Sequence, residues 1–266
     1  MAGSTVNIVV DIGNTRVKWR CADPGQSSGP SSAMSLDAPE IVSVLWDAWQ
    51  YPEADALKIA VSSVNPPFAD RLESFLADRG RSLPLSIRWY RSAKDVPVRH
   101  QLANPETTGA DRALAVLGAI ELIPMNRSCL IVSCGTAVTI ERITWERVWQ
   151  GGAITLGLGL ASRTLHRNTA QLPYVGPSQI PSAWGNSTRP ALEAGIFWGV
   201  VGAIKELIER QRNDLPGDPL VVWTGGDAEI LARAVEGANV QISPDLVLRG
   251  LSLTLGEADE SQSVEP

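Results

Sequence analysis

A chain of 266 residues with 44% apolar and 20% charged side chains has the composition of a soluble globular protein with room for one large domain or two ordinary ones. A formal charge of −6 and a pI near 5.1 argue against a general affinity for nucleic acid or anionic membrane. Cys21, Cys129 and Cys134 are odd in number and lack CxxC spacing, and His100 and His166 are the only histidines, which points to a reduced, cytoplasmic chain without a zinc pattern.

The N-terminus enters a strand within a few residues, with no signal-peptide pattern. Asn7–Asp11 and Arg16–Cys21 read as a hairpin around a DIGNT turn. Pro24–Ser32, rich in Gly, Ser and Pro, reads as a mobile surface loop. Asp37 is expected to cap a helix carrying Ile41, Val44, Leu45 and Ala48 on one face. A buried strand at Leu57–Val61 leads to a helix over Ala69–Arg79 that Gly80 ends, and Ser86–Tyr90 is a further strand. A helix is expected from Gly109 to Ile123. Cys129–Ser133 and Ala137–Ile143 repeat the opening hairpin, and Val148–Thr155 adds a strand. The next helix carries Leu160, Leu165 and Leu172. A Pro-rich loop (Pro173–Trp184) precedes a long helix over Pro190–Arg212, whose apolar face of Ile196, Phe197, Val200 and Ile204 suits either a core or a dimer interface. The most apolar stretch, Ala194–Ile204, is too short to span a bilayer. The strand Leu220–Trp223, a TGG turn and a helix from Asp227 come last, and residues 257–266 read as a frayed polar tail.

Three glycine-containing turns carry the chemistry: VVDIGNTRVKWR from Val9, IVSCGTAVTIER from Ile131 and VVWTGGDAEIL from Val221. In each an apolar run enters a turn where Gly permits positive φ or close approach of a ligand to the backbone. In the first two, the freed N–H groups and a Thr hydroxyl form a nest suited to phosphate oxygens. Asp11, at a strand end facing such a nest, is a hard carboxylate suited to Mg²⁺. Taken singly, GN is also an ordinary turn dipeptide. Asp111 beside Arg112 reads, taken alone, as a helix-terminal acid and its ion pair. Gly157 and Gly159 form a GxG, but Ser162 stands at the third glycine position, so a dinucleotide fingerprint is rejected.

The ordered set DIGNTRVK, GADR (Gly109–Arg112), SCGTA, GGAITLG (Gly151–Gly157), GNST (Gly185–Thr188) and TGGDA resembles type III pantothenate kinases over nearly the whole chain. That resemblance implies an α/β fold of two duplicated ribonuclease-H-like domains of the actin/hexokinase/Hsp70 type, with mixed sheets flanked by helices. The division falls at residues 1–124 and 125–256. It implies phosphorylation of pantothenate by ATP with Mg²⁺, the first step of coenzyme A synthesis, in a cytoplasmic homodimer without nucleic-acid or membrane partners. Asp111 is then the general base, and Gly109, Ala110, Arg112 and Thr188 bind the acceptor, Thr188 from the partner subunit. Asp11, Ile12, Gly13, Asn14, Thr15, Arg16 and Lys18 hold one side of the ATP phosphates, Gly135 and Thr136 the other, and Gly225 and Gly226 the adenine. Asp11 holds the magnesium, directly or through water.

Four positions depart from the family pattern. Ser133 stands where the family has an Asp associated with a monovalent cation (K⁺ or NH₄⁺), which implies weaker dependence on that ion. Leu102 replaces a Tyr, Leu156–Gly157 a Pro-Gly, and Asn186 a basic residue. These leave two alternatives: a kinase for another small hydroxylated acid, or a non-catalytic regulatory paralogue.

Overall fold

The computed structural model describes residues 4–22, 30–49, 54–79, 84–176 and 179–257. They form two compact units: Met1–Val98 with Ala103–Ile120 and Asp245–Pro266, and Arg99–Leu102 with Glu121–Pro244.

In the first unit β1 (Thr5–Ile12), β2 (Arg16–Cys21), β3 (Ser32–Ser35), β4 (Ala56–Ser63) and β5 (Leu85–Tyr90) make a sheet in the order β3-β2-β1-β4-β5. β1 runs antiparallel to β2 and parallel to β4. Ile8, Val9, Val10 and Ile12 are all buried, as a central strand covered on both faces requires. Ile8, Val10 and Ile12 pack with Leu45, Trp46 and Trp49 at helix α1 (Ile41–Ala48) and with Phe68, Leu72 and Leu76 of α2 (Pro66–Arg79). Helices α3 (Ala110–Ile120) and α7 (Leu246–Glu257) contact the sheet and each other. The α3–α7 crossing needs glycine twice. A Cβ on Gly118 would strike the Leu246 carbonyl, and one on Gly250 the Leu114 carbonyl.

The second unit repeats this plan. β6 (Cys129–Cys134), β7 (Ala137–Ile143), β8 (Trp149–Leu156), β9 (Leu220–Thr224) and β10 (Gln241–Ile242) pair in the order β10-β9-β6-β7-β8. β6 is antiparallel to β7 and parallel to β9, as β1 is to β2 and β4. Helices α4 (Leu158–Arg167), α5 (Thr188–Asn213) and α6 (Ala228–Glu236) complete it. The two sheets have one topology, as the duplicated α/β fold requires.

Several boundaries differ from the sequence reading. Asp37 does not cap α1: the helix starts at Ile41, after Glu40 in a left-handed conformation with φ 50°. Asn65 starts α2 early by accepting a hydrogen bond from the Phe68 N–H at 3.2 Å. Ser32 belongs to β3, while 23–29, Gly80 and the tail after Glu257 lie outside the described residues. Leu172 lies beyond α4, its carbonyl contacting the His166 ring at 2.7 Å. Phe197, Val200 and Ile204 are core of the second unit, with Ile196 packed against them. The units are also not contiguous, because α7, which has no counterpart in the sequence reading, belongs to the first.

Candidate active site

The first glycine turn joins β1 to β2, closed by a hydrogen bond from the Gly13 N–H to the Arg16 carbonyl at 3.0 Å. Gly13 is not among the positive-φ residues. Its lack of a side chain serves close approach, since a Cβ would lie 3.3 Å from the Arg16 oxygen. Asn14, Thr15 and Arg16 are exposed at the tip and Ile12 is buried behind it.

Asp11 sits at the end of β1 with Lys18 opposite it on β2 and Ser62 beside it on β4. Its Oδ1 is buried and has no hydrogen-bond partner. Burial, and after it the nearby Asp111 charge, push this carboxyl up to about 7 against the opposing pull of Lys18 and Ser62. An orphaned, buried carboxylate oxygen is costly unless a ligand completes it. The donor type is the hard oxygen that Mg²⁺ takes, so the residues fit that ion. Lys18 does not reach Asp11. Its Nζ donates to Asp245 Oδ1 at 2.9 Å.

Asp111 stands in the first turn of α3, where its Oδ1 accepts from the Arg112 N–H at 2.8 Å. Gly109 makes room for it. A Cβ there would lie 2.5 Å from Asp111 Oδ1 and 3.3 Å from Val64 Cγ1. The approach to α3 is tied down, with the Ala93 N–H donating to the Thr108 carbonyl at 2.7 Å and the Thr108 hydroxyl to the Asn104 carbonyl at 3.0 Å. In front of α3 a cavity of about 250 Å³ is lined by residues that include Ser63, Val64, Thr107, Thr108 and Gly109. The first unit thus brings together Asp11, Lys18 and Asp111, with Gly109 and Ala110 beside the last.

In the second unit the Gly135 N–H donates to the Ala137 carbonyl at 3.1 Å, which closes the second turn as Gly13 closes the first. Gly135 is exposed and Thr136 half-buried. Gly157 packs on this turn, where a Cβ would meet the Gly135 and Thr136 carbonyls. Gly225 has φ +98°, and a Cβ on it would strike the Cys134 backbone. Only glycine satisfies both conditions. Gly226 faces open space. Ser133 is half-buried on β6, level with Thr139 and Thr224. Leu102 lies near Gly151, whose Cβ would be 3.4 Å from it. Thr188, exposed, is the first residue of α5, with Asn186 exposed just before it.

Known proteins resemble the chain over most of its length. The type III pantothenate kinase family profile matches residues 7–210. A type III pantothenate kinase of Akkermansia muciniphila is 34% identical over 256 residues, 94% of this chain and 98% of that protein. One of Porphyromonas gingivalis is 41% identical over 163 residues, a match that takes in 60% of this chain and 65% of that protein's length. Porphyromonas gingivalis acetate kinase superposes with a TM-score of 0.55 at 12% identity over 95% of this chain and 99% of that chain, a likeness of fold alone. Both turns, the Gly109–Arg112 segment and Thr188 fall inside the matched span, and this chain belongs to the type III pantothenate kinase family.

Proposed function

We infer that the chain transfers the γ-phosphoryl group of ATP to the primary hydroxyl of pantothenate, giving 4'-phosphopantothenate, the first step toward coenzyme A. The observation that carries this reading is the Asp111 carboxylate, packed close against Gly109, which itself lines a small cavity. An alcohol attacking a loose phosphoryl centre needs an acceptor for its proton late in the transfer, and Asp111 supplies it. Arg112, with a forked guanidinium, neutralises the acceptor's carboxylate. Gly13, Asn14, Thr15 and Arg16 of the first turn, and Gly135 and Thr136 of the second, offer N–H, amide, guanidinium and hydroxyl donors to phosphate oxygens. Gly225 and Gly226 leave a bare backbone for the adenine face. Mg²⁺ supplies charge neutralisation on the phosphates when bound, and Asp11 is its protein ligand, directly or through water.

Assay of the purified protein for ATP consumption over a panel of small hydroxy acids tests this. Pantothenate is expected to give the highest kcat/KM by at least about tenfold. Preference for another acid, or no turnover with any, would overturn it.

The proposed active form is a homodimer whose acceptor site is completed by Thr188 of the second copy. Gly195, Gly199 and Gly202 lie on one exposed face of α5, with open space where each Cβ would stand. Three interior glycines cost a helix about 1 kcal/mol each relative to Ala, and among the described residues nothing uses the space they leave. Trp184, 72% exposed, and Trp198 add apolar surface nearby. Light scattering should therefore give a dimer. Gly199→Glu should give a monomer whose KM rises for pantothenate more than for ATP, and mixed Asp111→Asn and Thr188→Ala subunits should regain activity. A fully active monomer would refute the shared site.

Ser133 sets the proposed cation dependence. Two unit charges about 4 Å apart interact by roughly 4 kcal/mol at an effective dielectric near 20, so an uncharged hydroxyl holds K⁺ or NH₄⁺ far less well than Asp. Initial rates at constant ionic strength should respond weakly to potassium, and Ser133→Asp should strengthen the response. A strong, saturable requirement in the unaltered protein would contradict this.

The compartment we propose is the cytoplasm, where buried thiols outside any disulfide, such as Cys129 and Cys134, persist under reducing conditions. Among the described residues no helix is long and apolar enough to cross a membrane.

A further inference from the structure

Lys18 and Asp11 face each other across the first hairpin. Directly opposed residues of an antiparallel pair have Cβ atoms about 5 Å apart, within easy reach of a lysine. Yet the Asp11 Oδ1 stays without a partner while buried. The Lys18 ammonium instead donates to Asp245 Oδ1 at 2.9 Å. Asp245 is itself fixed. Its Oδ2 accepts from the Ser31 hydroxyl at 2.5 Å, its carbonyl accepts from the Arg249 N–H at 2.9 Å, and its backbone is left-handed at φ 56°. It is the residue immediately before α7, the helix locked to α3 through Gly118 and Gly250. Arg20 adds a further positive charge facing it. Burial favours protonation of Asp245, but the hydrogen bonds from Ser31 and Lys18 outweigh that and hold it below its ordinary value.

We propose that Asp245 is a positioning residue that draws the Lys18 ammonium away from Asp11, keeping the Asp11 carboxylate open to a divalent cation. This rests on the reading of Asp11 as the magnesium ligand. Without the Asp245 charge, Lys18 closes on the nearest uncompensated carboxylate, which is Asp11, and competes with the metal there. With it, Lys18 remains beside the phosphate turn as a cation without occupying the metal's ligand.

Asp245→Asn is the informative variant, because Asn tolerates left-handed backbone and keeps a hydrogen-bond acceptor while losing the charge. The test is calorimetric binding of ADP and of a non-hydrolysable ATP analogue to the full-length protein, each titrated at a series of Mg²⁺ concentrations. Asp245→Asn should shift the half-saturating Mg²⁺ upward by about tenfold, a coupling of the size seen between contacting charged groups. Ser31→Ala, which frees only one oxygen of Asp245, should shift it less in the same direction. Lys18→Met should weaken nucleotide binding at every Mg²⁺ level, yet adding it to Asp245→Asn should restore the Mg²⁺ response to that of Lys18→Met alone. A purely structural salt bridge predicts instead that melting temperature falls in each single variant and little further in the double, with the Mg²⁺ response of Asp245→Asn unmoved. An unchanged Mg²⁺ response in Asp245→Asn, or no recovery in the double variant, overturns the proposal. Nucleotide binding by the unaltered protein that ignores Mg²⁺ overturns instead the assignment of Asp11 on which it stands.

Discussion

Asp111→Asn should lower the rate of phosphoryl transfer by about 10²–10⁴-fold, the range expected on loss of a general base, while ATP affinity stays within about twofold. The amide keeps the size of the carboxylate and its acceptor for the Arg112 N–H, but it cannot take the acceptor's proton. The proposed nucleotide contacts lie on other residues, so binding and turnover separate. Gly109→Ala offers an independent approach to the same atom. The added methyl would sit 2.5 Å from Asp111 Oδ1, and the end of a side chain yields more easily than backbone. The carboxylate therefore moves while the fold holds, and kcat should drop by about tenfold or more with little change in melting temperature, given that a misplacement of about 1 Å costs on the order of 100-fold. Rapid-quench turnover and thermal melting on both variants decide the matter. Near-normal turnover in Asp111→Asn removes this residue from the chemistry.

Much of the fold was legible because its central strands are short runs rich in β-branched residues. Val9–Ile12 and Leu130–Ser133 each end in a Gly turn, and the hairpins follow directly. The long α5 was found from its apolar period, and that period could not tell core from interface. The structure assigns Phe197, Val200 and Ile204 to the core and leaves a glycine line outward, a feature that hydrophobic patterning does not register.

The C-terminal helix stayed hidden for a related reason. Its leucines at 246, 248, 251, 253 and 255 alternate as strand residues do, and Gly250 weakens a helical reading. Packing on α3 overrides both signals, because the same glycine lets the two helices approach closely. Missing α7 meant missing Asp245, so Lys18 read only as a charge beside the phosphates and its ion pair went unseen. The role proposed for Asp111 was visible only through resemblance. An acid in the first turn of a helix is what favourable interaction with the helix dipole produces anyway, and only the space made by Gly109 and the adjoining cavity sets this one apart.

Asp11→Asn should raise the stability of the nucleotide-free protein and abolish most of its stabilisation by Mg²⁺ with nucleotide. Asp11 is raised from 3.8 to about 7, chiefly by burial and then by Asp111, with Lys18 on β2 and Ser62 on β4 lowering it and Asp245 before α7 raising it. The sign follows from proton counting. Between about pH 4 and pH 7 the folded carboxyl keeps its proton while the unfolded one has lost it, so folded protein binds more protons and stability falls as pH rises through this window. The cost is complete above about pH 7, and a full shift of this size corresponds to at most about 4 kcal/mol. Asn carries no such cost. Its advantage in melting temperature over the unaltered protein should therefore be absent near pH 4, grow to about pH 7 and stay level beyond. Mg²⁺ with nucleotide reverses the ranking. A ligand at about 100 times its Kd stabilises by roughly 2.7 kcal/mol, and an amide that cannot serve as an anionic ligand forfeits most of that. Below about pH 7 the same binding must expel the Asp11 proton, so magnesium-dependent nucleotide affinity of the unaltered protein should rise with pH up to that point and that of Asp11→Asn should not. Melting curves from pH 4 to 9, with and without Mg²⁺ and ADP, contain both tests. Equal ligand-induced shifts in the two proteins would show that Asp11 is not a metal ligand, and a stability difference that does not change with pH would show that burial does not strain it.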